Sequence, residues 1–182
     1  NTRRIHNSSA MKRLYILRHA KSSWDDASLA DFDRPLNDQG VGAAAYIGEL
    51  SAGRGMEQEL LISSPAKRAE RTAVLVKENI GFDVSLTYDE RVYEASLTTL
   101  LKVISEIPAD VDSALLIGHN PGMEAIIRCL TGEIQPMSTA SLASIKLAIG
   151  QWAAVDQVSG TLEFVIRPKE EMERAALVDG NR

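Results

Sequence analysis

Three short apolar runs, at residues 14–17, 60–62 and 114–117, each end in a cluster of basic or hydroxyl side chains. Between them lie segments with helical start and stop signals. Together these observations predict an α/β protein, a three-layer α/β/α sandwich with helices on both faces of a mostly parallel central sheet. In an open sheet of that kind the carboxyl ends of the strands face the ligand crevice. The residues that follow the three runs are therefore the first place to look for chemistry.

The first run, Leu14-Tyr15-Ile16-Leu17, reads as a buried strand and delivers Arg18, His19, Ala20, Lys21, Ser22, Ser23 and Trp24 in succession. Residues 21–35 are rich in Asp and Ser without periodicity and read as a loop. Asn37 is a plausible N-cap for a helix that runs to about Ala52, with Gly53 and Gly55 ending it. The second strand spans 59–63. Ser64-Pro65 then signals a helix start, since proline is favoured at the first helical position. That helix runs to about Asn79 with Gly81 as its stop, and it carries Arg68 in its first turn, where free N–H groups favour an anion.

Residues 84–87 form a short strand in this reading, 89–96 a polar connector, and 97–107 a helix ended by Pro108. The third major strand, 113–117, leads into Gly118-His119-Asn120-Pro121-Gly122. There Asn120 and Pro121 repeat the cap-plus-proline signal for a helix through Leu130 that Gly132 closes. Residues 142–149 and 161–166 read as two later strands, a hairpin with a long connection. The charged residues 168–182 form a loose final helix or a frayed end. Residues 1–11 are read as a disordered tail or tag remnant, which leaves 12–182 as a single domain.

Composition narrows the function. Hydrophobic content of 45%, charged content of 25% and a formal net charge of −5 suit a globular domain and argue against nucleic acid as a partner. No apolar run is long enough to span a bilayer and no signal-peptide core stands near the start, so a cytoplasmic protein without a membrane partner is expected. The single Cys129 excludes an internal disulfide and reads as a packed structural thiol.

Three strand ends supply Arg18, His19, Arg68 and His119. Two of the chain's three histidines sit directly after apolar strands; the third, His6, lies in the polar N-terminal stretch. Two arginines and two histidines at one point suit a tetrahedral dianion. A guanidinium offers a planar fork of donors and keeps its charge. A neutral imidazole has a lone pair that can attack phosphorus and form a phosphohistidine intermediate. A second imidazole, if protonated, can donate to the same oxygens.

Four spaced stretches carry a resemblance. They are Arg18-His19-Ala20 with Lys21-Ser22-Ser23-Trp24; Asp33-Arg34-Pro35-Leu36-Asn37-Asp38-Gln39-Gly40; Ser63-Ser64-Pro65-Ala66-Lys67-Arg68-Ala69-Glu70-Arg71-Thr72-Ala73; and Gly118-His119-Asn120-Pro121-Gly122. In this order, over roughly residues 12–166, the chain resembles the histidine phosphatase superfamily, and within it the SixA-type phosphohistidine phosphatases. The resemblance implies a phosphoglycerate mutase-like fold. It implies His19 as the phosphoryl acceptor, with Arg18, Arg68 and His119 completing the phosphate pocket, and neither metal nor other cofactor. Ala20 stands where the family usually has glycine. Relatives place a proton-donating Glu on the connector after the third β-segment; Glu94 fits that place best and Glu90 is its rival. Lys21, Ser22 and Arg34 are candidates for binding substrate at the rim.

The expected activity is removal of phosphate from a protein phosphohistidine, such as a phosphotransfer domain, through an open pocket. A phosphatase or phosphomutase of small phosphomonoesters is the first alternative, and a non-catalytic module for phosphorylated ligands the second. The sequence offers no Gly-x-Ser-x-Gly elbow, no phosphate-binding glycine loop and no third histidine or cysteine spaced to complete a zinc site.

Overall fold

The computed structural model describes residues 11–156, 160–171 and 173. Its centre is a six-stranded sheet made of β1 (Lys12–Arg18), β2 (Leu60–Ser63), β3 (Ser85–Tyr88), β4 (Ser113–Gly118), β5 (Leu142–Leu147) and β6 (Gly160–Ile166). The spatial order is β3-β2-β4-β1-β5-β6. All neighbours pair in parallel except around β5, which runs antiparallel to both β1 and β6. The sheet is thus mostly parallel, as expected, and the last two strands form the predicted hairpin.

Strand residues alternate between two apolar layers, as the two-residue period of a strand requires. Leu14, Ile16, Leu116 and Ile62 face one way, with Leu100, Ile104, Ile126 and Ile127 of α3 (Leu97–Ser105) and α4 (Gly122–Thr131). Tyr15, Leu17, Leu115 and Leu61 face the other way, with Ile47, Ala73 and Val76 of α1 (Asp38–Gly53) and α2 (Lys67–Asn79). Sheet burial on both faces explains why the central runs read as continuously apolar.

Register decides where the functional residues meet. Arg18 lies beside Gly118 and Ser63 beside Ile117. The carboxyl ends of β2, β4 and β1 therefore stop level with one another. The ladder continues just past the strands: the His19 N–H donates to the Gly118 carbonyl and the Ser64 N–H to the Ile117 carbonyl, both at 3.0 Å. Thr72 of α2 adds a tie, accepting from the Ala20 N–H (3.0 Å) and donating to the Arg68 carbonyl (2.6 Å).

Several expected boundaries hold closely. Asn37 caps α1, its side chain accepting from the Gly40 N–H at 2.8 Å, and Gly132 closes α4 in the left-handed conformation, φ 77°. Two helix starts differ. α2 begins at Lys67, not at Pro65, because Ala66 is extended and the Ser64 hydroxyl is spent on the Ala66 N–H and on His119. α4 begins at Gly122, and Asn120 does not cap it; its amide donates to Glu124 (2.8 Å) and to the Met137 carbonyl (2.9 Å). α3 also ends two residues early, at Ser105. Residues 168–171 are helical. The expectations for residues 1–10, and for most of 172–182, lie outside the described residues.

Gly40 carries the loop after β1. A Cβ there would come within 2.1 Å of the Lys21 carbonyl oxygen, so only glycine lets α1 approach this closely. Gly42, one exposed residue pair later, has open space around it. Gly40→Ala is expected to lower the melting temperature by several degrees and to displace Lys21 and Ser22 from the strand end. Gly42→Ala is expected to be neutral or stabilising by up to about 1 kcal/mol. Thermal denaturation of the pair checks this; equal effects would show that the close approach carries no weight.

Candidate active site

β1, the first turn of α2 and the end of β4 bring Arg18, His19, Arg68 and His119 together. All four line a pocket of about 320 Å³ that Lys21, Ser22, Trp24 and Arg34 also line. The two imidazoles stand with ring centroids 5.0 Å apart. Arg68 lies between them. Its Nε donates to His19 Nε2 and its Nη2 to His119 Nδ1, each at 3.3 Å.

These contacts fix the histidine tautomers. A carbonyl can only accept, so His19 Nδ1, 2.8 Å from the Ala20 carbonyl oxygen, carries the proton. Its Nε2 then holds the lone pair, turned towards the guanidinium. Likewise a guanidinium can only donate, so His119 Nδ1 is an acceptor and Nε2 donates to the Ser64 hydroxyl at 2.8 Å.

Burial is the main reason that the His19 pKa falls from its ordinary 6.5 to about 4, with the charges of Arg68, Arg18 and Arg34 pushing the same way against the hydrogen bond to Ala20. Burial also leads the fall of His119 to about 3, helped by His19 and Arg68 and opposed by Asp31. Both rings are neutral at neutral pH, as a nucleophile requires. Arg18 donates through Nη1 to the Met137 carbonyl (2.9 Å), while its Nε is buried with no protein partner among the described residues.

The rim residues behave differently from one another. Arg34 is buried and held at all three nitrogens: Nη2 donates to Ser22 (2.6 Å), Nε to the Ser23 carbonyl (3.2 Å) and Nη1 to Asp31 (3.0 Å), and its guanidinium lies 3.1 Å from the centroid of the Trp24 ring. Trp24 itself is 76% exposed at the pocket wall. Lys21 is exposed and donates to Gln39 at 3.0 Å. Glu94 is exposed, sits at φ 48°, and makes no hydrogen bond or ion pair among the described residues. It lines an adjoining cleft of about 570 Å³ together with Asp31, Arg68 and His119. Glu90, in a 3-10 turn (Glu90–Val92), lines neither space.

Sequence reasoning missed Asp31. Its carboxylate accepts from Arg68 Nη2 (2.8 Å), Arg34 Nη1 (3.0 Å) and the Tyr93 hydroxyl (3.0 Å), and its carbonyl accepts from Arg68 Nη1 (2.5 Å). Its only local signal was an acid three residues before Arg34. Ser64 and Asn120 were read as helix-start residues, whereas both serve the site. Among the described residues no group of three or more His, Cys, Asp or Glu side chains could hold a metal ion, and no helix is long and apolar enough to cross a membrane.

The sequence profile of the histidine phosphatase superfamily (branch 1) matches residues 14–114, more than half of the 182 residues. The chain belongs to the histidine phosphatase superfamily. An uncharacterized chloroplastic protein of Arabidopsis thaliana is 29% identical over 175 residues, which cover 89% of this chain and 80% of that protein. A solved structure described as a candidate phosphohistidine phosphatase SixA, from Agrobacterium tumefaciens, is 30% identical, with a TM-score of 0.75 over 86% of this chain and 98% of that one. The structure of a protein histidine phosphatase SixA complexed with tungstate shares the fold, at a TM-score of 0.76 and 23% identity over 87% of this chain and 99% of that one. The histidine phosphatase fold here is of the SixA type and phosphoglycerate mutase-like, and the chain is a phosphatase enzyme of that superfamily.

The lowered histidine pKa values set a testable acid limb. NMR titration of the ring protons is expected to show His19 neutral until the pH falls towards about 4, and His119 until about 3. Arg68→Gln removes a positive neighbour and should move both midpoints upward. The unfolded chain takes up these protons near pH 6.5. It therefore binds more protons than the folded chain below that value, and stability should decline as the pH is lowered from 6.5 towards 4. Midpoints that stay near 6.5 would refute this electrostatic picture.

Proposed function

We propose that this phosphatase acts on a protein-borne phosphohistidine through a covalent phosphoryl intermediate on His19. The observation that carries the reading is the His19 Nε2 lone pair, held by the Nδ1–H contact to Ala20 and directed into a cluster of buried guanidiniums. In the proposed cycle, Nε2 attacks phosphorus as the bond from phosphorus to the leaving nitrogen breaks; the substrate ring, protonated on its other nitrogen, takes that bond's electron pair and departs as neutral imidazole. Water then attacks phospho-His19, giving inorganic phosphate and restoring the ring. Arg18 and Arg68 take the equatorial oxygens, and the unpaired Arg18 Nε is a buried donor ready for one of them. His119 would turn from acceptor to donor as the dianion arrives, by uptake of a proton at Nδ1 or by reversal of the Ser64 contact. The metal-free reading rests on these cations neutralising the phosphoryl group.

The choice of a phosphorus–nitrogen substrate rests on the carboxylates. Burial would raise the Asp31 pKa, but hydrogen bonds from Tyr93, Arg68 and Arg34 outweigh it and hold the group below its ordinary value, as an ion. Glu94 stands in solvent without a contact to aim it at a leaving group. An alkoxide leaving group needs a proton donor far more than an imidazole does. The described likeness of the 30% identical neighbour points the same way. A phosphotransfer domain in the cytoplasm is the partner this reading favours. Glu94 lining the adjoining cleft favours the second reading, a phosphatase of small phosphomonoesters with Glu94 as acid. Lys21, Ser22 and Arg34 are the proposed rim contacts in either case.

Phosphate release in EDTA should be faster from a phosphohistidine-bearing phosphotransfer domain than from an aryl phosphate, and His19→Ala should abolish both while melting near the wild-type temperature. Release from the aryl phosphate alone would shift the reading to small molecules, and release from neither would leave a binding module. Glu94→Gln should slow phosphoester hydrolysis more than phosphohistidine hydrolysis; an equal effect on the two would remove Glu94 as the acid.

A further inference from the structure

The pocket holds more buried positive charge than a phosphoryl dianion needs, and one acid stands against it. Arg18, Arg34 and Arg68 converge with Lys21 at the rim. Asp31 is the one carboxylate among the described residues that hydrogen-bonds to any of these guanidiniums, and it bonds to two. Arg34 is pinned by Ser22, the Ser23 carbonyl and the Trp24 ring, so it cannot swing away from Asp31. Tyr93 pins the opposite side, donating to Asp31 while its ring meets His119 edge-on, centroids 5.5 Å apart. Phe32, next to Asp31, packs edge-on against Tyr93 in turn, at 5.1 Å. This preorganised carboxylate is one guanidinium nitrogen away from His119.

A carboxylate so placed has two effects on a dianion bound between Arg18, His19, Arg68 and His119. It holds the outer edge of the Arg68 fork, leaving the inner edge turned to both imidazoles. It also repels the dianion, through a gap that the protein shields from solvent only in part, since the Asp31 side chain is 47% exposed. We propose that Asp31 is a positioning residue and built-in counter-anion, which aims Arg68 while keeping the pocket from holding product phosphate too tightly. This rests on reading the pocket as the phosphate site, and it adds a residue whose charge sets the release of product. Of the charged and titratable groups facing Asp31, Arg34 comes from its own loop, Arg68 from α2, His119 from the end of β4, and Tyr93 and Glu94 from the connector after β3.

The sign of one measurement separates this role from plain bracing. Inorganic phosphate binding, measured by calorimetry, should tighten about five- to tenfold in Asp31→Asn and in Asp31→Ser, the two neutral variants. Asp31→Glu, which keeps the charge, should stay within about twofold of wild type. In the neutral variants kcat should fall as product leaves slowly, while kcat/KM for an aryl phosphate holds or rises. Weaker phosphate binding in both neutral variants, with kcat and kcat/KM falling together, would make Asp31 a structural brace and overturn the proposal; unchanged binding would overturn it too. Wild-type protein that binds no phosphate would instead sink the reading of the pocket itself, so the two failures are distinct.

Discussion

The buried guanidinium of Arg68 is the contact on which the rest of the site depends. It touches both imidazoles and Asp31, and the backbone at its own helix turn is tied through Thr72 to the end of β1. Unit charges about 4 Å apart interact by about 4 kcal/mol at an effective dielectric near 20. Three arginines could not share so small a volume with two protonated histidines. The arrangement is stable because burial and the arginines keep both rings neutral, and because Asp31 offsets part of the positive charge. The same electrostatics that hold the pocket together keep His19 neutral, its Nε2 lone pair accepting from Arg68 Nε, so the charge state that the fold requires is also the one that the proposed attack requires.

The sheet provides the second constraint. β2, β4 and β1 are neighbours with level carboxyl ends, and the helices that follow β2 and β4 start a short turn later, at Lys67 and Gly122. Arg18, His19, His119 and Arg68 thus stand at a strand end, one residue past it, or in a first helical turn, where ladder hydrogen bonds set the backbone position. The rim is different. The loop from Lys21 to Pro35 is held by a few specific contacts: the close approach of Gly40, the isolated bridge of Ser22 with Leu36, and the stack of Arg34 on Trp24. A rigid floor with a separately fastened rim lets a phosphatase keep one chemistry while its rim meets different leaving groups.

The two helix starts that differ from the sequence reading have a common cause. Ser64 and Asn120 are ordinary capping residues at ordinary capping positions. Both side chains are committed elsewhere, Ser64 to His119 in the site and Asn120 to Glu124 and the Met137 carbonyl beside it. Asn37, whose side chain has no such task, caps α1 as its sequence context suggests. Local rules gave way where function claims the side chain, a pattern expected of active sites.

The amino-acid sequence alone determined the layered α/β class, the strand and helix identities, and the four strand-end residues, because burial on both sheet faces and the motifs around Arg18, Arg68 and His119 are written in local pattern. Tertiary structure decided the partners of those residues: the tautomers of the two histidines, the solvent position of Glu94, and the place of Asp31 against Arg34 and Arg68. Asp31 and Arg68 are far apart in the chain, and nothing in the aperiodic loop from Lys21 to Pro35 encodes which guanidinium its acid will meet. That contact exists only once the sheet order has carried α2 to the end of β1, since hydrogen bonds between distant residues are set by register and packing rather than by neighbouring sequence.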